Sequence, residues 1–239
     1  MAILILQHSD IVGPGRLGVT LRDHGFRMDI RRPDQGDPVP ADLDGIEGLV
    51  VLGGAMNVTD VGLYGWMQAE ASLIKMAHAK QLPVIGICLG AQLIAHALGG
   101  TVAAKEGTPD LGFFPMSINT MGQTETLLAG MPWTHHQLFS CGQQVTQLPP
   151  GASLLASTAT TKNACFKAGI RTFGALFHFE CDRPMTSALL GGDASFLTKT
   201  GKTIGDLEAE AEKHYANFAR VADRLTLNLV GTLFPQSRR

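Results

Sequence analysis

Three short apolar runs, each followed by a segment with helical spacing, constrain this chain more than any other feature. Residues 2–7, 48–52 and 83–87 are rich in Ile, Leu and Val and too short for helices. Residues 13–24, 63–80 and 91–98 follow them, with apolar positions such as Met67, Ala71, Ile74 and Ala77 at helical intervals in the second segment. An uninterrupted apolar strand is buried on both faces, which a parallel sheet covered by helices requires. The predicted fold is α/β, a mostly parallel wound sheet with helices on both faces. Residues 26–31 offer a further strand, and the proline-rich stretch 33–44 a loop.

The second half reads differently. Residues 101–104, 111–119, 137–141, 153–157, 165–168 and 172–177 are short candidate strands between Gly, Pro, Asn and Thr, and predict a smaller antiparallel part. Residues 206–233 read as a long amphipathic helix or helix pair. With no internal repeat or linker, 239 residues suit one domain over 1–239, with 206–233 as a C-terminal helical extension. Hydrophobic residues at 45% and charged residues at 17% exclude a disordered chain. A net charge of −2 leaves no basic surplus for nucleic acid or an anionic membrane, so neither is an expected partner. Arg31-Arg32 and Arg238-Arg239 read as a solvated face and a frayed end. Cysteines stand at 88, 141, 165 and 181 without a C-x-x-C, so no metal site is expected, and sparse thiols suit a reducing compartment. The apolar start lacks a basic leader, and the expected location is cytoplasmic.

The third apolar run leads into Gly86-Ile87-Cys88-Leu89-Gly90, a G-x-C-x-G between a strand and a helix. Alone, that pattern fits a buried structural cysteine equally well. In this context it predicts a nucleophile on a sharp strand-to-helix turn, where glycines make room. The helix N-terminus favours the thiolate. An attacked carbonyl becomes an oxyanion and needs preorganised donors. The Leu89 amide is one candidate, and Gly53-Gly54, ending the preceding strand, can supply another at the same sheet edge. A thiolate also needs an oriented base. Among eight histidines, His178 is distinguished by Glu180 two residues on, placed to accept the imidazole N–H if the segment is extended. Gly13-Pro14-Gly15-Arg16-Leu17-Gly18 fits G-x-G-x-x-G, but residues 7–12 separate it from its strand, which argues against a dinucleotide fingerprint.

These residues resemble a known family. Residues 83–93, around Cys88, are similar to the nucleophile segment of class I glutamine amidotransferases, and Phe177-His178-Phe179-Glu180 to the family's F-H-P-E. Asp110-Leu111-Gly112-Phe113-Phe114-Pro115 resembles the E-I-G-W-F-P of the stand-alone, GMP-synthetase-like branch, and Leu148-Pro149-Pro150-Gly151-Ala152 fits that branch too. The resemblance implies a flavodoxin-like fold and glutamine hydrolysis through a γ-glutamyl thioester on Cys88, with no metal and no organic cofactor. It implies Gly53, Gly54 and Leu89 as the oxyanion hole. Gln92 matches a position lining the glutamine pocket. The family's H-G-D stretch beside the pocket reads as replaced around His135-His136-Gln137, which makes His136 a substrate-binding candidate and removes a carboxylate.

Three functions fit. The first is an ammonia-supplying glutaminase serving a separate synthetase subunit, since the chain carries no acceptor domain of its own. The second is a γ-glutamyl peptide hydrolase acting alone, suggested by the altered pocket. The third is a non-catalytic binding or regulatory protein on the same fold, against which the joint presence of Cys88, His178 and Glu180 argues.

Overall fold

The computed structural model describes residues 1–192 and 194–234. Asp193 and residues 235–239, with the Arg238-Arg239 pair, lie outside the described residues. Two sheets form. The larger has nine strands in the order β2-β1-β3-β4-β11-β10-β9-β6-β7, and the smaller pairs β5 with β8. The strands are β1 (Ala2–His8), β2 (Met28–Arg31), β3 (Ile46–Gly54), β4 (Val84–Ile87), β5 (Thr101–Ala104), β6 (Asp110–Ile118), β7 (Thr134–Cys141), β8 (Gln143–Gln147), β9 (Ser153–Thr158), β10 (Cys165–Ala168) and β11 (Thr172–Ala175).

The apolar runs behave as their composition demands. Ile3 to Leu6, Leu49 to Leu52 and Val84 to Ile87 are buried, and β2, β1, β3, β4 and β11 run parallel. The sheet continues antiparallel through β10, β9, β6 and β7. Helices α1 (Gly15–Asp23), α2 (Gly65–Ala79), α3 (Leu89–Ala97), α4 (Thr120–Thr124), α5 (Arg183–Gly191), α6 (Ala194–Thr200) and α7 (Ile204–Asn228) complete the order. A five-residue π-helical turn, Leu229–Leu233, ends it. Helix α7 starts on a capping box in which Thr203 and Asp206 satisfy each other's backbone N–H groups, and turns Leu207, Ala211, Phe218, Val221, Ala222 and Leu225 inward. No described helix is long and apolar enough to cross a membrane.

Helices cover both faces. In β3, a methyl on Gly48 would meet the Phe234 ring at 2.5 Å, whereas Val51 lies against Gly90 of α3. Three residues apart on one strand means opposite faces. The far half of the sheet curls. Four strand spacings of about 4.8 Å separate β11 from β7, roughly 19 Å if the sheet were flat. Yet His178 N, just beyond β11, donates to Leu138 O of β7 at 2.8 Å. The end of β7 thus returns over the carboxyl ends of the parallel strands.

Candidate active site

Strand β4 delivers Cys88 with φ +50° and ψ −106°, a conformation in which an L-residue is strained. The turn is crowded. A methyl on Gly86 would lie 2.5 Å from the Gly90 carbonyl carbon and oxygen, and one on Gly90 would lie 1.9 Å from Val51 O. Cys88 N donates to Ala175 O at 2.8 Å, locking the elbow to β11. Helix α3 starts at the next residue, and the Leu89 N–H faces the sulfur and favours its thiolate.

Strand β11 ends at Ala175, two residues short of the predicted 172–177, and His178 and Glu180 sit in the turn beyond it, closed by Cys181 N donating to His178 O at 3.4 Å. The i, i+2 pairing therefore comes from a turn, not from the extended segment expected. His178 Nδ1 bonds Glu180 Oε1 at 2.7 Å, and both residues are buried. That contact leaves Nε2 as the ring's proton-accepting nitrogen. Burial disfavours the imidazolium, but the Glu180 carboxylate, by charge and hydrogen bond, outweighs it and holds His178 above histidine's ordinary range. The second oxygen, Glu180 Oε2, is buried without a hydrogen-bond partner.

Gly53 joins these parts. A methyl there would sit 2.8 Å from His178 Cε1 and 3.5 Å from Cys88 Cβ, so the imidazole and the nucleophile's carbon stand within 3.5 Å of one point. Gly54 is equally confined, between His8 Cβ at 2.8 Å and Leu89 Cδ2 at 2.9 Å. His8 is itself fixed, 2.8 Å from Glu70 Oε1 and stacked on Trp66 at 4.9 Å. The structure therefore brings Cys88, His178, Glu180, Gly53, Gly54 and Leu89 to one edge of the sheet.

Gln92 belongs to the same cluster. Its Nε2 donates toward Cys141 Sγ at 3.6 Å and Gln143 O at 3.5 Å. His136 does not. It faces Pro115 across β6 and stacks on His214 of α7 at 3.9 Å. It precedes Ser140 by four residues of strand, about 13 Å at ~3.3 Å per residue. The expectation that His136 lines the pocket is corrected by this register. The segment beside Cys88 is Cys141-Gly142-Gln143, which keeps a central glycine, like H-G-D, and carries no carboxylate. The Cys88 thiol donates to Ser140 O at 3.5 Å and lies 4.0 Å from Cys141 Sγ. The hydrogen bond to Cys141, then burial, raises Cys88 above the usual thiol range, while the bond from Cys88 lowers Cys141 against burial. The Gln143 side chain is engaged elsewhere, accepting from Val58 N at 3.0 Å and donating to Thr59 Oγ1 at 2.9 Å.

The glycine-rich stretch 13–18 has a structural task. Arg16 N, at the start of α1, donates to Glu180 O at 2.8 Å, and a methyl on Gly15 would lie 2.1 Å from that oxygen. Arg16 also reaches Cys181 O at 3.2 Å, Asp223 at 2.7 Å and the Tyr215 hydroxyl at 2.6 Å, bracing the His178 turn against α7. Among the described residues, one group of three metal-ligating side chains converges, His178, Glu180 and Cys181, within 4.8 Å. It is built from the base and its own partner, and excludes His135 and His136.

The site thus sets a cysteine on a strand-to-helix elbow beside a carboxylate-anchored histidine at one edge of the parallel sheet. The sequence profile of the family "Glutamine amidotransferase class-I" matches residues 17–183, and the chain belongs to that family. It is 31% identical over 145 residues to the glutamine-hydrolyzing GMP synthase of Porphyromonas gingivalis, covering 59% of this chain and 26% of that one. This chain therefore spans about a quarter of that relative's length. A glutamine-hydrolyzing GMP synthase subunit of Thermoplasma acidophilum is 30% identical over 148 residues, covering 59% of this chain and 67% of that one. A glutamine amidotransferase of Thermotoga maritima shares the fold with a TM-score of 0.84 at 21% identity, over 97% of this chain and 99% of that one.

Proposed function

We propose that this chain hydrolyses the side-chain amide of glutamine or of a γ-glutamyl compound through a thioester on Cys88, releasing ammonia or an amine. The observation that carries this reading is the shared position of Cys88 and His178 around Gly53, with Glu180 fixing the imidazole. His178 Nε2 takes the thiol proton as the sulfur attacks the amide carbon. The oxyanion draws on the Leu89 N–H and the amides at Gly53 and Gly54. Collapse breaks the C–N bond, and the imidazolium returns its proton to the departing nitrogen. Water, deprotonated by His178, then attacks the thioester, which releases the γ-carboxylate and restores the thiol.

A second reading, a self-sufficient γ-glutamyl peptide hydrolase, draws on Cys141-Gly142-Gln143, where the Gln143 side chain is committed to Val58 and Thr59. The relatives named as GMP synthases support the first reading, in which ammonia passes to a separate synthetase. Glutamine, asparagine and a set of γ-glutamyl dipeptides, with ammonia and glutamate both measured, separate them. Ammonia from free glutamine, rising when a synthetase partner is added, supports the first. Amine release from the dipeptides, with glutamine left intact, supports the second. Inertness toward the whole set contradicts both.

Two variants probe the base. Gly53→Ala drives a methyl against His178 Cε1, and a displacement of about 1 Å at a reacting group costs roughly 100-fold in kcat. Unchanged kcat in that variant would mean the ring takes no part. Glu180→Gln is expected to lower kcat by roughly 10⁴-fold, as loss of the orienting carboxylate does in a related triad, and to leave residual turnover. It also moves the pH profile. The rate rises as His178 loses its proton, so the wild-type acid limb lies above histidine's ordinary value of about 6.5. Without Glu180, burial, the largest influence, lowers the pKa against the Cys141 charge alone, so the limb moves to lower pH. A limb that stays in place would separate Glu180 from the titrating group.

A further inference from the structure

The proposed reaction uses one thiol, and the fold sets a second against it. Cys141, the last residue of β7, stands with its sulfur 4.0 Å from Cys88 Sγ, and both residues are buried. Its surroundings suit an attacking sulfur. Gln92 Nε2 points at it from 3.6 Å, and its own S–H is directed to Gln143 O at 3.0 Å. The Lys105 ammonium and a protonated His178 both favour its thiolate, although the bond from Cys88 is the largest influence in that direction. The other two thiols differ. Burial raises Cys165 to about 12 and Cys181 well above the ordinary range. Neither has a thiol neighbour like that of Cys88.

We propose that Cys88 and Cys141 form a hydroperoxide-modification site, with Cys88 the oxidised thiol and Cys141 the resolving one. Cys88, giving its proton to His178 Nε2 as in the proposed amide reaction, attacks the distal oxygen of a hydroperoxide. An S–O bond forms, the O–O bond breaks, and the leaving oxygen departs as water or an alcohol with the thiol's proton. Cys141 then attacks the Cys88 sulfur. The S–S bond forms, the S–O bond breaks, and the sulfenic oxygen leaves as water with the Cys141 proton. Two thiols are oxidised by two electrons and one peroxide is reduced. A dithiol reverses the change by exchange. Bonded sulfurs stand about 2.05 Å apart, so the pair must close by roughly 2 Å. Side-chain rotation at Cys141, where β7 ends before Gly142, can supply that movement. The disulfide would cap the nucleophile and keep it from irreversible sulfinic acid.

The test is a thiol map of the full chain after graded hydrogen peroxide, with alkylation under denaturing conditions and peptide mass analysis. It needs no turnover, so it stands or falls apart from the amide-hydrolysis reading. The expected result is that the Cys88 and Cys141 peptides become joined while Cys165 and Cys181 remain alkylatable, so four free thiols become two, and that dithiothreitol restores all four. In Cys141→Ser, and in Cys141→Ala as a second variant, Cys88 is expected to proceed to dithiothreitol-resistant sulfinic acid. The proposal is overturned if wild-type Cys88 reaches sulfinic acid without a joined peptide, or joins Cys181 or Cys165 instead.

Discussion

Cys88→Ala is expected to lower turnover by at least about 10⁴-fold, on whichever substrate the amide panel identifies, while the protein stays folded. Removing the nucleophile of a comparable triad costs about 10⁶-fold in kcat, and oxyanion donors and binding leave a small residue of catalysis. The fold should tolerate the change because alanine accepts the same backbone as cysteine and the lost sulfur is a small volume in a large core. The elbow's strain, φ +50°, is carried by either residue. Circular dichroism and a melting curve alongside the assay separate lost chemistry from lost structure. Wild-type rates in this variant would remove Cys88 from the reaction.

Gly90→Ala is expected to differ in character, a large effect on stability that arises where α3 meets the backbone of β3. The added carbon would lie 1.9 Å from Val51 O and 2.6 Å from the Val51 carbonyl carbon, both backbone atoms of a central strand. Helix α3 would have to withdraw from β3, carrying the elbow with it. Overpacking of this kind costs up to about 3 kcal/mol, a fall in Tm of roughly 6–12 °C at about 2–4 °C per kcal/mol for a chain of this size. Gly62→Ala is the control, because nothing lies within 4 Å of a methyl there, and it should stay within about 0.5 kcal/mol. Equal melting temperatures for the two variants would mean that α3 does not approach β3 this closely.

What the sequence disclosed follows from how local each feature is. Cys88 was legible because its elbow is written in five consecutive residues, with Gly86 and Gly90 each excluding a side chain for a reason the fold then supplies. His178 and Glu180 were legible as a pair, although the turn that presents them was not. Strands β1, β3 and β4 were legible because burial on both faces leaves a largely unbroken apolar run. Cys141 and Gln143 were missed because their place depends on a non-local event, the curling of the sheet that returns β7 over β4 and β11. Without it, the start of β7 and its end cannot be told apart, so the sequence points to His136 where the fold sets Cys141 beside Cys88. Helix α5 was also missed, although its signal was present. Asp182 caps it by accepting from Met185 N at 2.9 Å, and a proline occupies its first turn. The stretch predicted as a helix or helix pair is one helix followed by a short π-helical turn, beginning two residues earlier than predicted because Thr203 and Asp206 set its start.

Support for the site extends beyond the residues that touch substrate in the proposed reaction. Glu210 of α7 accepts from Phe113 N at 2.8 Å and occupies the space a side chain on Gly112 would need, at φ +118°. Together with Arg16, this ties α7 to both β6 and the His178 turn. Positioning of a base within a fraction of an ångström depends on such outer contacts.

In the proposed reaction the Cys88 sulfur is the atom that bonds the γ-glutamyl carbonyl carbon. A chloroketone analogue of glutamine, with its leaving group beside the carbonyl, tests it directly when labelling is mapped by peptide mass and turnover is followed in parallel. One equivalent on Cys88, with turnover lost in proportion, is the predicted result. Full labelling at another residue, or turnover that persists once Cys88 is occupied, would contradict it.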